Sequence, residues 1–281
     1  MGSYRDFLIL TKPRVVLMVV ITAATGFHLG SGASLDWLRL GITLAGVALA
    51  AAGTATMNQY IERDVDAMME RTRHRPLPDS RVRPGAALGF GAGLIAAGLL
   101  CLLPVGLLPF AVTAATVGLY LFVYTPMKRR SPACLLVGGV PGALPVLAGW
   151  VAARGEFGTG AWVLFGILFL WQVPHTLAIA RLYQEDYLRA GIRLPPAANA
   201  SMAEAQSVTG AVLLLAVSLL PLPLGFAGPF YAAGALALGV AYLAAGAAQA
   251  VSPTRVAARR TLLVSLVYLP ALLGLLSLDK V

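Results

Sequence analysis

The stretch Asn58-Gln-Tyr-Ile-Glu62-Arg-Asp64-Val-Asp66-Ala-Met-Met-Glu70-Arg71-Thr72-Arg73-His74-Arg75-Pro76-Leu77 concentrates charge in a chain that is otherwise strongly apolar. Four acidic and four basic side chains fall within it, although charged residues make up only 12% of the 281 residues. The sequence before and after it lacks charge over lengths that suit membrane-spanning helices. The stretch therefore marks a place where a membrane helix meets water.

The gaps between charged residues predict an all-α polytopic membrane protein. Apolar residues make up 58% of the chain and the mean hydropathy is +0.80, which excludes an ordinary soluble domain. A spanning helix needs about 20 largely uncharged residues, so each shorter gap holds one helix and each of the two longest gaps holds two. The shorter gaps are 14–36, 39–62, 130–154, 156–181 and 260–279, and the longest are 83–128 and 204–255. This predicts nine transmembrane helices in a single domain covering residues 1–281.

The distribution of cations predicts the orientation. Alternate predicted segments hold 18 of the 21 Lys and Arg residues, and the other side has only Arg39, Arg154 and Lys280. By the positive-inside rule, the N-terminus and the basic loops are cytoplasmic and the C-terminus lies outside. We interpret Lys12 and Arg14 as interface anchors. The net charge of +9 then indicates the lipid bilayer or an anionic substrate as partner, and no nucleic acid.

The opening stretch follows the second predicted helix without a breaker, and we expect Pro76 and Pro78 to end that helix. If the helix continues, Asn58, Glu62 and Asp66 lie on one face and Asp64 points elsewhere. Carboxylate and amide oxygens suit Mg²⁺, and the guanidinium groups of Arg71 and Arg75 can hold diphosphate oxygens. The alternative is a solvated helix end with surface ion pairs, each worth under about 1 kcal/mol.

Two further helix ends on the same side carry polar residues. The fourth helix ends at Tyr124, Lys128 and Arg129, which is either a phosphate-binding mouth with aromatic rings or an interfacial aromatic belt. The sixth ends in a segment with Trp171, His175, Tyr183, Glu185 and Asp186. Its acids could complete a metal–diphosphate site, and His175 is either functional or a core histidine.

These motifs together resemble the UbiA superfamily of intramembrane prenyltransferases. The resemblance is carried by Asn58-x3-Glu62-x3-Asp66-x4-Arg71-Thr72-x2-Arg75-Pro76-Leu77, and it extends over roughly residues 8–195. Leu10-Thr-Lys-Pro-Arg14, Tyr124-Thr-Pro-Met-Lys-Arg129, Gly138-Gly139 to Trp150 and Trp171-Gln-x-Pro-His175 make it most similar to the branch that farnesylates heme. Cys134, where we expect Asn, and Arg193-Leu-Pro-Pro depart from the pattern.

The resemblance implies nine helices around a central cavity, farnesyl diphosphate as donor, heme B as acceptor and Mg²⁺ as cofactor. Heme A synthase is a candidate partner protein, and the inner membrane of a bacterium is the expected location. A prenyltransferase acting on a quinone precursor and, more remotely, a membrane transporter are the alternatives.

It also implies roles for individual residues. The catalytic residues would be Glu62, Asp66, His175 and Asp186, and the metal ligands would be Asn58, Glu62, Asp66, Glu185 and Asp186. The diphosphate would contact Asn58, Arg71, Arg75, Lys128 and Arg129. The heme or prenyl pocket would include Tyr124, Trp150, Trp171 and Tyr183.

Overall fold

The computed structural model describes residues 2–32, 34–192 and 200–281, and these ranges form a helical bundle. Its helices are α1 (Tyr4–Leu10), α2 (Pro13–Gly30), α3 (Trp37–Asp66), α4 (Pro84–Leu102), α5 (Leu107–Met127), α6 (Cys134–Arg154), α7 (Thr159–Leu182), α8 (Gln184–Arg189), α9 (Ala200–Leu219), α10 (Pro229–Val251) and α11 (Arg255–Leu278). The departure at 193–196 lies outside the described residues.

Nine of the described helices have the length and hydropathy to cross a membrane, which confirms the prediction from the charge gaps. The short helices α1 and α8 are the two that do not. Gaps between charges predict spans well because a charged side chain inside the hydrocarbon layer is costly. The two longest gaps each hold two helices, α4 with α5 and α9 with α10, as predicted.

Helix α6 lies at the centre of the bundle. Two thirds of its most apolar window is buried, and it packs against α2, α5 and α7. The approach to α2 is so close that a Cβ atom on Gly149 would lie 1.9 Å from the carbonyl oxygen of Ala23. On the facing helix, a Cβ on Gly26 would lie 2.0 Å from the carbonyl oxygen of Val146. Small residues allow such backbone contact between membrane helices.

Replacing Gly149 by Ala should therefore destabilise the protein. The added methyl group forces α2 and α6 apart, which is an overpacking cost of about 1–3 kcal/mol or more. Thermal unfolding in detergent should show a clear fall in the midpoint. The matched control is Gly93→Ala on α4, where the new Cβ meets nothing within 4 Å and should not lower the midpoint. Equal stability of the two variants would contradict the close contact.

Helix α3 continues into the charged stretch as predicted, and its 30 residues include Asn58, Glu62 and Asp66. We expected the prolines at 76 and 78 to end it, and that expectation is wrong. The helix ends at Asp66, where the hydroxyl of Thr72 donates to the carbonyl oxygen of Asp66 at 2.9 Å. A terminal helix carbonyl is thus satisfied by a side chain that returns towards it. The following turns, 67–82, fold back over the helix end.

The end of α5 is irregular where it meets the site. Residues Leu119–Tyr124 form a π-helical turn, and the backbone N–H of Thr125 donates to the carbonyl oxygen of Tyr120. Pro126 has no N–H to donate to an α-helical partner, so a wider turn at this point leaves fewer unsatisfied groups. The turn places Tyr124 against Gly138 of α6, where a Cβ would lie 2.4 Å from the Tyr124 ring.

Candidate active site

The ends of α3 and α5 meet at Asn58 and Glu62. The Asn58 side chain is 1% exposed, and its Nδ2 donates to Glu62 Oε2 at 2.9 Å and to Thr125 Oγ1 at 3.3 Å. Lys128 Nζ lies 2.8 Å and 3.0 Å from the two oxygens of Glu62. Burial alone would lower the pKa of Lys128, but the carboxylate of Glu62 holds it above the ordinary value. Lys128 is therefore a permanent cation beside Glu62.

Lys12 joins this cluster, although its sequence context led us to interpret it as an interface anchor. Its Nζ donates to Asn58 Oδ1 at 3.2 Å, and its backbone is left-handed, with φ at 50°. That conformation is strained for a residue with a Cβ, more so before a proline. Burial, together with the neighbouring cations of Arg75 and Lys128, lowers the pKa of Lys12 to about 7. The anchor interpretation of Lys12 is wrong, because its ammonium group contacts the polar site.

Asp66 lies one turn further along the same face. Its side chain is almost fully buried, and Arg75 Nη1 donates to its Oδ2 at 2.7 Å. Arg75 reaches Asp66 because the chain turns back after the helix end, so the pair depends on that fold-back. Breaking a buried ion pair by removing one partner leaves an uncompensated charge. Asp64, by contrast, has an 85% exposed side chain 3.8 Å from Arg63, in agreement with its predicted position off the face.

The acidic segment after α7 meets the turn after α3, as predicted for two helix ends on one side. Asp186 is buried and accepts backbone N–H groups from Glu70 at 3.2 Å and Arg71 at 3.4 Å, and Arg189 donates to it at 2.5 Å. Burial would raise the pKa of Asp186, but these three donors lower it. The Arg71 guanidinium lies 4.8 Å from the centroid of the Tyr183 ring. Asp186 thus anchors the turn that carries Arg71.

The remaining residues predicted near this site differ in their exposure and in their contacts. The Tyr124 ring centroid lies 4.6 Å from Lys128 Nζ, so an aromatic face adjoins the cations. Arg129 and Glu185 are exposed on the same end of the bundle. Cys134, where we expect a polar residue, is fully buried and packs in an apolar cluster with Val65 and Met69.

His175 lies deeper, on α7, in contact with α11. Its ring stacks on Trp171 with centroids 4.5 Å apart, and its Nδ1 lies 2.7 Å from Ser265 Oγ. The Ser265 hydroxyl donates to the carbonyl oxygen of Leu262 at 2.6 Å, which uses its one proton. In the tautomer that fits this arrangement, His175 Nδ1 carries the hydrogen in the contact with Ser265 and Nε2 keeps its lone pair. A neutral imidazole with a free Nε2 can accept a proton or bind a metal.

No sequence pattern pointed to Ser265. It lies in a predicted helix without charge or motif, and its role depends on a neighbour 90 residues away in the chain. Trp150, which the resemblance assigns to the heme or prenyl pocket, lies at the opposite end of α6. There it packs edge-on against Phe226, with ring centroids 6.5 Å apart, and its pocket assignment stays a prediction.

The site has the chemistry for a divalent cation that arrives with a phosphate ligand. In the described ranges, no three His, Cys, Asp or Glu side chains converge as a metal cluster. The oxygens of Asn58, Glu62 and Asp66 are instead held by Lys12, Lys128 and Arg75. Mg²⁺ typically uses one or two carboxylates and completes its shell with phosphate and water oxygens, so these residues fit it. The assignment of Glu185 and Asp186 as metal ligands stays a prediction.

Comparisons with known proteins bear on this arrangement. Residues 19–269 match the model of the UbiA prenyltransferase family. A protein named protoheme IX farnesyltransferase, from Solibacter usitatus, is 43% identical, with 98% of this chain and 99% of that protein covered.

Two solved structures share the fold. A structure described for the biosynthesis of digeranylgeranylglyceryl phosphate synthase in membranes has a TM-score of 0.83 at 17% identity. The match covers 98% of this chain and 97% of the chain in that structure. A UbiA homolog from Archaeoglobus fulgidus, bound to GPP and Mg²⁺, has a TM-score of 0.67 at 16% identity, with 97% and 99% covered. At these identities the likeness concerns the fold alone.

Proposed function

This chain belongs to the UbiA prenyltransferase family, and from that premise we propose that it transfers a farnesyl group from farnesyl diphosphate to a vinyl group of heme B, giving heme O. The observation that carries the proposal is the meeting of Lys12, Lys128 and Arg75 on the Asn58–Glu62–Asp66 face. Cations and oxygen ligands in one place suit a metal-bound diphosphate. The relative named protoheme IX farnesyltransferase is 43% identical over nearly its whole length, and its name supports heme B as the acceptor.

The donor half of the reaction requires the diphosphate to leave. Lys12, Lys128 and Arg75 would bind its oxygens and stabilise the negative charge that develops as the C–O bond breaks. Asn58, Glu62 and Asp66 would hold Mg²⁺, which neutralises the leaving group when it is bound. Arg71 is positioned by Asp186 through its backbone N–H and can extend the same surface. This step leaves an allylic cation, which is held deeper in the membrane than these charged residues.

The acceptor half adds this cation to the vinyl group. The new carbon–carbon bond forms at the terminal vinyl carbon, and the positive charge moves to the carbon next to the porphyrin ring. Water adds there and loses a proton, so the product gains a farnesyl group and a hydroxyl group. A bilayer-embedded site keeps other water from the cation before the bond forms. His175 Nε2, with its free lone pair, is the group that would take the proton or contact the heme.

The acceptor is tested by competition. Purified protein in detergent with farnesyl diphosphate and Mg²⁺ is offered heme B together with an aromatic quinone precursor, and the products are separated and weighed by mass spectrometry. We expect prenylated heme and no prenylated aromatic acid. Prenylation of the quinone precursor alone would overturn the heme assignment in favour of the nearest alternative.

We further propose that the protein lies in the cytoplasmic membrane of a bacterium, with the Glu62 cluster on the cytoplasmic side. The support is the bias of Lys and Arg towards the loops at that end of the bundle. Heme A synthase is the partner protein that we would test first, by co-purification.

The contact between His175 and Ser265 allows a specific prediction. His175→Ala should lower kcat by about 10²-fold or more, because general acid–base groups contribute about that much. Ser265→Ala should lower kcat by a smaller factor without raising KM for farnesyl diphosphate. This substitution removes the contact with His175 Nδ1, so the imidazole can change its tautomer. Ser277→Ala on the same helix, whose hydroxyl bonds only to the Leu273 carbonyl oxygen, is the control. Full activity of His175→Ala would sink the role assigned to the imidazole.

A further inference from the structure

A cavity lies at the end of the bundle opposite the Glu62 cluster. Its volume is about 620 Å³, and it opens between the ends of α2, α6 and α11 and the beginning of α7. This volume is in the range of small-molecule sites, about 300–1,000 Å³. Its apolar walls are formed by Leu29, Val163, Leu164, Phe226 and Leu276.

Two cations line this cavity, Arg154 and Lys280. The Arg154 guanidinium lies 5.7 Å from the centroid of the Trp150 ring, and Lys280 Nζ donates to the carbonyl oxygens of His28 and Ser31 at 2.8 Å and 2.7 Å. The two hydrogen bonds hold Lys280 in place, and neither cation uses an acid in these contacts. Across the described part of the chain, neither cation has a carboxylate within 4.0 Å.

The pair is unusual for this end of the bundle. Only three of the 21 Lys and Arg residues fall on this side, and two of them face one cavity. The third, Arg39, is used in the fold, because it donates to the carbonyl oxygens of Ala152 and Val105. Burial and the nearby Arg154 lower the pKa of Lys280.

The cavity lies at the level where lipid head groups are expected. Phe157 and Trp162, at the beginning of α7, are exposed and stack with ring centroids 5.5 Å apart. Exposed aromatic rings of this kind mark the membrane–water interface. The cations are thus placed at head-group depth, whereas the apolar walls continue towards the hydrocarbon layer.

We propose that this cavity binds an anionic phospholipid, with the phosphate on Arg154 and Lys280 and an acyl chain along the apolar walls formed by α7 and α11. The head group supplies the missing counter-charge, and the apolar part of the lipid removes the cavity lining from water. The cavity shares no residue with the Glu62 cluster, although Trp150, which the resemblance assigns to the heme or prenyl pocket, is one of its lining residues.

Lipid retention measured by native mass spectrometry tests the proposal. The intact protein is titrated in detergent with dioleoyl phosphatidylglycerol, and with dioleoyl phosphatidylcholine as the zwitterionic lipid with matched chains. We expect tighter binding of phosphatidylglycerol, and about tenfold weaker binding in Arg154→Gln, the loss expected for one charge-assisted hydrogen bond. Lys280→Gln should weaken it likewise. The control is Arg130→Gln, which removes one exposed cation at the other end of the bundle.

Three outcomes would overturn the proposal. They are equal binding of the two lipids, an equal effect of Arg154→Gln and Arg130→Gln, and binding of protoporphyrin IX at Arg154 without any phosphatidylglycerol. The last result would assign the cavity to a porphyrin dicarboxylate. Within residues 2–32, 34–192 and 200–281, no backbone group hydrogen-bonds to the Arg154 side chain, so loss of binding in Arg154→Gln with an unchanged unfolding midpoint reports on the site and not on folding.

Discussion

Glu62→Gln combined with Asp66→Asn should reduce Mg²⁺-dependent formation of prenylated heme by at least about 10³-fold, since two charged groups of the leaving-group site are lost together. Both carboxylates lie on one face of α3 and are held by cations that would also face the diphosphate. The amides keep the size of the side chains but remove the negative charge that holds the metal. The measurement is the initial rate of product formation in detergent at saturating Mg²⁺ and heme.

Asp64→Asn is the matched control for this pair. It removes a carboxylate from the same turn of α3, but the Asp64 side chain is 85% exposed and points away from the cluster. We expect nearly unchanged rates in this variant. Glu62→Gln alone is made in parallel, because the double variant leaves two cations without partners and could lose stability. An active, folded double variant would count against the metal–diphosphate site.

Lys12→Met should lower kcat/KM for farnesyl diphosphate by about 10²-fold, the loss typical for removal of one donor that stabilises developing charge. The methionine keeps the length of the side chain and its apolar contacts, so the change removes mainly the ammonium group. Lys12 faces Asn58 at 3.2 Å, and its strained backbone is held in place by the fold around it. The constants are measured by varying farnesyl diphosphate at fixed heme.

Arg14→Met is the control for Lys12. It removes a cation two residues away that is exposed at the beginning of α2. If Lys12 only anchored the chain at the membrane surface, both substitutions would have the same small effect. Equal rates in the two variants would therefore restore the anchor interpretation and remove Lys12 from the site.

The features that depend on local sequence were predicted correctly. The nine spans follow from the spacing of charges, because the cost of a buried charge acts wherever the charge lies in the chain. The common face of Asn58 and Glu62 follows from the helical repeat, and so does the separate direction of Asp64. Lys128 meets the end of α3 and Asp186 meets the turn after it, because these segments lie on the same side of the membrane.

Beyond which helix ends share a side of the membrane, individual contacts between distant residues could not be predicted. Lys12 and Arg14 are basic residues on either side of Pro13 with a similar context, and only the packing of α2 against α3 distinguishes them. Ser265 lies in an uncharged predicted span, and its contacts with Leu262 and His175 depend on the packing of the helices. The helix end at Asp66 was misplaced because Thr72 returns to cap it, whereas the prolines gave a stronger local signal.

The most direct test of the function is the mass of the porphyrin product formed in water enriched in ¹⁸O. Purified protein is incubated with heme B, farnesyl diphosphate and Mg²⁺, and the extracted porphyrins are separated and weighed. We predict a product that carries one farnesyl group and one hydroxyl group, with the hydroxyl oxygen labelled by the solvent. Unchanged heme, or a farnesylated porphyrin without the labelled oxygen, would contradict prenyl transfer to the vinyl group followed by water capture.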